Sequence, residues 1–104
     1  MYFEAYWIFI ERGINVEIIK PSWAGTLESS DAYVEIEPSD NGIEIVVESV
    51  VKKQFGDKIE EAVRQVLEEN KVKKANVRIN DRGALECVIK ARVETAVLRG
   101  KGDN

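Results

Sequence analysis

The chain has 104 residues, is 44% hydrophobic and 33% charged, and carries a formal net charge of -4 with no histidine. That length suits one domain with a thin core. The acidic balance argues against nucleic acid or an anionic membrane surface as a partner, and the missing histidine excludes Ser-His-Asp and Cys-His catalysis and any zinc site needing several Cys or His ligands. The single cysteine, Cys87, rules out an intramolecular disulfide and fits a reducing, cytoplasmic setting. A basic protein surface is the more natural partner for this chain.

Residues 1–15 stand apart. Tyr2, Phe3, Tyr6, Trp7 and Phe9 concentrate most of the chain's aromatics there. Glu4 and Glu11 interrupt the stretch, which is too short to span a bilayer and lacks the pattern of a signal peptide. From Ala32 the pattern becomes regular. Ala32, Val34 and Ile36 alternate with Tyr33, Glu35 and Glu37, the period of a half-buried strand. Pro38-Ser39-Asp40-Asn41-Gly42 is a turn cluster. Ile43, Ile45 and Val47 alternate with Glu44 and Glu48, leaving Val46 as an apolar residue on the outer face. These two strands are expected to pair as a hairpin.

A helix is predicted over Lys52 to Glu69, with Phe55, Ile59, Val63, Val66 and Leu67 on its apolar face and Asn70 as its stop. Val77 and Ile79 mark a further strand, expected to run parallel to the second because a helix crosses over between them. Asn80-Asp81-Arg82-Gly83 reads as a turn, with Asp81 as candidate cap of a last helix. Ala84, Leu85, Val88, Ala91, Arg92 and Val97 fit that helix, which runs to about Leu98. Residues 100–104 read as a disordered tail. The expected fold class is α+β: a small sheet of about three strands, a hairpin plus one, with two helices packed on one face in the order β-β-α-β-α.

The chemistry centres on Ala24-Gly25-Thr26-Leu27-Glu28-Ser29-Ser30-Asp31, a small, polar run before the first clear strand. By composition it is an ordinary solvated loop. This run resembles the attachment loop of the citrate lyase acyl carrier proteins, the gamma subunits of that enzyme. Lys53-Gln54-Phe55-Gly56-Asp57 resembles the family's second block, and the run Asp81 to Glu94 its third, in order and spacing. The resemblance covers about residues 16–99, the expected carrier domain. Family members open with a methionine near the place of Val16, so residues 1–15 are expected to be an extra segment outside the native protein.

The resemblance implies a non-catalytic carrier subunit. Its first serine after the Leu-Glu pair, Ser29, would bear 2'-(5''-phosphoribosyl)-3'-dephospho-coenzyme A, with the adjacent Ser30 as rival site. The thiol of that group would carry acetyl and citryl thioesters between the alpha and beta subunits of citrate lyase. A holo-carrier synthase (a phosphoribosyl-dephospho-CoA transferase) would attach the group, and an acetate:carrier ligase would load it. No catalytic or metal residue, nucleic acid or membrane enters this reading.

Other residues have plainer readings. Glu28 and Asp31 would repel the phosphodiester, or be recognised by basic residues of a partner. Cys87, flanked by Leu85 and Val88-Ile89, is expected at the core or its boundary and off the acyl pathway. Glu35, Glu37, Glu44 and Glu48 read as a solvated sheet face. Lys90, Arg92 and Arg99 read as a basic helix edge that favours the C-terminal dipole. Two other classes compete: a small ligand-binding or regulatory α/β module, and a carboxylate enzyme built on Asp31 and Glu28.

Overall fold

The computed structural model describes residues 16–50 and 52–102. Strand β1 is Ser22–Gly25, β2 Ala32–Glu37, β3 Ile43–Ser49 and β4 Ala75–Asp81. Helix α1 is Lys52–Glu69 and α2 is Glu86–Gly100. The fold class is α+β, and the expected order β-β-α-β-α is present behind one additional strand, β1. The sequence did not reveal β1 because its inward positions are Ser22 and Ala24, while Trp23 is 57% exposed. Small buried residues around an exposed aromatic give no hydrophobic alternation.

The sheet order is β1-β2-β4-β3. Strands β1 and β2, and β2 and β4, pair antiparallel, while β3 and β4 run parallel as the crossover suggested. The expected hairpin between β2 and β3 does not form, because β4 lies between them. Passing over one intervening strand requires about 10 Å. Residues 38–42 cover that distance easily at about 3.3 Å each. The turn therefore reverses the chain without making its two strands neighbours, and Gly42 O receives the Ala75 amide at 2.9 Å, at the entry to β4.

Burial explains why β4 takes the centre. Ala75, Val77, Ile79 and Asp81 alternate inward and are all buried. On β3 only Val47 is buried; Ile43 and Ile45 are partly covered and Val46 is half exposed, the profile of an edge. Ala32, Val34 and Ile36 complete the sheet's inner face. Ile59, Ala62, Val63, Val66 and Leu67 of α1, and Ile89, Val93, Ala96 and Val97 of α2, cover it. Burying each large aliphatic side chain contributes about 1.5–3 kcal/mol.

Helix α1 has the predicted bounds, but Phe55 is 45% exposed rather than in the core. Helix α2 is rotated from its expected face. Its buried positions are Ile89, Val93, Ala96, Val97 and Gly100, whereas Leu85 is exposed and precedes the helix as its N-cap. Cys87 is exposed, not core or boundary. It lies two residues before Ile89, about 200° around a helix from the buried stripe. Gly100, expected at the head of a disordered tail, is buried at the end of α2, and its carbonyl accepts the Ile19 amide at 3.0 Å. The aromatic segment 1–15 lies outside the described residues.

Candidate functional site: the β1–β2 loop

Residues 26–31 join β1 to β2, whose pairing runs from Ser22↔Ile36 to Gly25↔Tyr33. The loop therefore sits at the end of the sheet where Ala32 pairs with Asp81. Gly25 makes its entry possible. Its φ is +93°, and a Cβ at that place would collide with the Ala32 carbonyl oxygen and crowd the Arg92 side chain. No L-residue satisfies both constraints.

The loop is tied at both flanks. The Thr26 hydroxyl donates to Asp31 Oδ2 at 2.7 Å and accepts the Glu28 amide at 3.2 Å. The Asp31 amide donates to Glu28 O at 3.1 Å, closing a turn with Ser29 and Ser30 at its centre. Ser30 has φ +67°. Its amide donates to Arg82 O, and the Arg82 amide donates to Asp31 O, each at 2.9 Å. Ser29 and Ser30 are both exposed. The turn is thus anchored through its backbone while its hydroxyls face solvent.

Asp31 is the anchor. Arg92 of α2 donates from Nε to Asp31 Oδ1 at 2.9 Å and from Nη2 to Oδ2 at 3.2 Å, a two-pronged ion pair. The Ala32 amide also donates to Oδ1 at 2.7 Å. The Arg92 guanidinium, then the Thr26 hydroxyl and the Ala32 amide, hold the Asp31 carboxyl well below the usual carboxylate range. This corrects two readings of Asp31. Its charge is committed within the chain and not presented to a partner or to a phosphodiester. Already receiving four hydrogen bonds, the Asp31 carboxylate is also poorly matched to proton abstraction near neutral pH.

Arg92 was legible only as part of a basic edge. Arg99 likewise has an internal task, donating to Trp23 O at 2.8 Å, and Lys90 bonds Gln65 and pairs with Glu86. Glu35, Glu37, Glu44 and Glu48 lie on the outer sheet face, where Glu35 stands opposite Arg78 in register. Asp81 does not cap α2. It is buried, accepts Ser49 Oγ at 2.8 Å and the Ala84 amide at 2.9 Å, and so shapes the turn before the helix. The fold thereby brings Asp81-Arg82-Gly83 and Arg92 of the third sequence block against the attachment-like loop of the first.

A short sheet that pins a loop from both sides and leaves two serines at its apex is a scaffold for presenting a group. The comparisons name the class as acyl carrier. A family model described as "ACP: Malonate decarboxylase delta subunit (MdcD)" matches residues 19–100. The citrate lyase acyl carrier protein of Escherichia fergusonii is 54% identical over 85 residues, covering 81% of this chain and 88% of the relative. That of Clostridium perfringens is 52% identical over 90 residues, covering 86% and 89%. A chain in the crystal structure of a Pseudomonas malonate decarboxylase hetero-tetramer in complex with malonate shares the fold at a TM-score of 0.70 and 20% identity, covering 82% of this chain and 88% of that one. The chain belongs to the citrate lyase acyl carrier protein family.

Proposed function

We propose that this acyl carrier protein bears its prosthetic group on Ser29 and serves citrate lyase. The observation that carries the assignment is the exposed Ser29 hydroxyl at the apex of a turn whose flanks are clamped by Thr26, Asp31 and Arg92. An acceptor serine needs access for a modifying enzyme and a fixed backbone around it, since that enzyme supplies the chemistry. Ser30 is adjacent, but its amide is held by Arg82 and its φ is in the left-handed region.

The residues suit 2'-(5''-phosphoribosyl)-3'-dephospho-coenzyme A, joined through a phosphodiester. Ser29 is exposed beside the small Ser30, and Arg92 pairs with the partly buried Asp31 carboxylate, while Glu28 stays solvated. When bound, the group supplies a terminal thiol that holds acetyl or citryl as a thioester. The protein's own contribution is to anchor the attachment point and to keep the tethered acyl group at high local concentration near the catalytic subunits. The expected partners are the citrate lyase alpha and beta subunits, the holo-carrier synthase and the acetate:carrier ligase, in the cytoplasm.

The test is modification of apo-protein by the holo-carrier synthase, followed by intact mass and peptide mapping. Ser29→Ala should abolish the adduct and Ser30→Ala should retain it. An adduct that persists in Ser29→Ala and vanishes in Ser30→Ala would overturn the assignment.

A further inference from the structure

A groove of about 350 Å³ opens between the first turns of α1 and the β4–α2 turn. Phe55, Ile59, Ala62, Ala84, Leu85 and Ile89 form its apolar lining. Two of these, Phe55 at 45% and Leu85 at 71% exposed, are among the large hydrophobic side chains that the fold leaves uncovered. Lys58 stands on its rim, while Glu86 at the rim is paired with Lys90. Phe55 and Leu85 come from separate sequence blocks, and neither contributes to the core, so their meeting has no explanation in packing.

The groove adjoins the attachment loop. Ser30 donates its amide to Arg82 O, and Arg82 returns its own amide to Asp31 O. Gly83, Ala84 and Leu85 of the groove wall follow directly. Leu85 is three residues beyond Arg82, at most about 11 Å along the chain. Both features lie at the sheet end marked by Asp81, Ala32 and Ser49.

We infer that this groove is the resting site of the thiol-terminated arm carried by Ser29; the inference rests on the proposed attachment. An arm long enough to carry a thioester between separate active sites is long enough to fold back over three residues. Its pantetheine portion, with two geminal methyl groups and a short acyl terminus, matches an apolar groove of this size. Lys58 offers a solvent-screened cation to the arm's phosphates. Tethering makes a weak site sufficient. A flexible tether sets an effective concentration in the millimolar range, so even millimolar intrinsic affinity fills the groove about half of the time. Seating there shields the thioester from water between visits to partner subunits.

The experiment uses full-length protein with Cys87→Ser, so that the arm carries the sole thiol. The holo-form is verified by intact mass and by mapping the adduct. A methanethiosulfonate spin label is placed on the arm, and methyl NMR signals are compared with a reduced label. Ile59, Ala62, Ala84, Leu85 and Ile89 should broaden, while Ile43 and Val72 at the other end of the sheet should not. Alkylation of the unlabelled arm thiol by iodoacetamide should be slowed, by about twofold if the arm is seated half of the time. Leu85→Ser and Phe55→Ser, both at exposed positions, should restore the faster rate without changing the far-ultraviolet circular dichroism. Uniform weak broadening with no protection of the thiol would overturn the resting site while leaving Ser29 as the attachment residue. Groove signals that move only when the holo-carrier synthase is added would overturn it in favour of a docking face. An adduct mapped to another residue would overturn both readings.

Discussion

Gly25 offers the sharpest test of how the loop is built. Replacing it with alanine imposes two separate costs. The first is conformational: φ is +93°, and an L-residue in the left-handed region costs about 1–2 kcal/mol. The second is steric: the new Cβ meets the Ala32 carbonyl oxygen, which belongs to backbone and cannot swing away. Relief requires β1 to move off β2 near the Gly25↔Tyr33 pair, sacrificing hydrogen bonds worth about 1 kcal/mol each. The sum is about 3 kcal/mol or more, against a total stability of about 5–15 kcal/mol for a domain of this size. Gly83 is the internal control. Its φ is +91°, but an added Cβ there meets open space, so Gly83→Ala incurs only the first cost. At about 4–8 °C per kcal/mol, Gly83→Ala should lower Tm by about 5–10 °C and Gly25→Ala by about 15 °C or more. Thermal unfolding followed by circular dichroism measures both. Equal losses in the two variants would refute the steric argument and leave only the backbone term.

The Asp31–Arg92 pair predicts a pH dependence. Because folding depresses the Asp31 pKa, its stabilising contribution is present above the unfolded value of about 3.9 and declines as pH falls below that value towards the folded one. Asp31→Asn should therefore be less stable than wild type at pH 7, and the difference in Tm should shrink below pH 4; a constant difference from pH 7 to pH 2 would contradict the ionic role. Arg92→Ala should slow modification by the holo-carrier synthase through a higher KM, with partial rescue by Arg92→Lys, and unchanged kinetics in a folded Arg92→Ala protein would remove Arg92 from loop positioning. Cys87→Ser should shift stability by no more than about 0.5 kcal/mol because the side chain is exposed; a loss of several degrees in Tm would place the thiol in the core after all.

Elements with a strong period were legible in the sequence, and their neighbours in space were not. Ala32, Val34 and Ile36, the full extent of α1, and Val77 with Ile79 all followed from alternation or helical spacing. The pairing of β2 with β4 did not, because Asn41-Gly42 signals a reversal and carries no information about which strand fills the gap. The face of α2 was misread because Leu85, a large apolar residue, draws the eye, while the buried stripe ends in Ala96, Val97 and Gly100. Small residues are chosen there for close approach: Ser22 of β1 donates to Ala96 O at 2.6 Å. Composition alone made residues 24–31 an ordinary solvated loop; Ser29 became a candidate only through the resemblance to the attachment loop of the carrier family, as the first serine after Leu27-Glu28. The Asp31–Arg92 contact spans 61 residues, and no local pattern encodes it.

That contact also resolves a conflict between access and order. An acceptor hydroxyl has to protrude, yet a protruding loop of small polar residues gains little from burial and is costly to order. Asp31 supplies the order from beneath the apex. Its carboxylate is largely covered, with its side chain 15% exposed, and it gathers the start of the loop through Thr26, the exit strand through Ala32 and the far helix through Arg92. The same ion pair cancels a negative charge that would otherwise face an anionic group attached at the apex. A neutral anchor such as Asn would keep part of the hydrogen bonding and lose the charge-assisted strength of the Arg92 pair. An unpaired Asp would keep the charge and oppose an attached phosphodiester. Only the paired carboxylate both fixes the loop and leaves it electrostatically permissive, so Asp31 and Arg92 should change together or not at all if the loop is to keep the attachment role proposed for it.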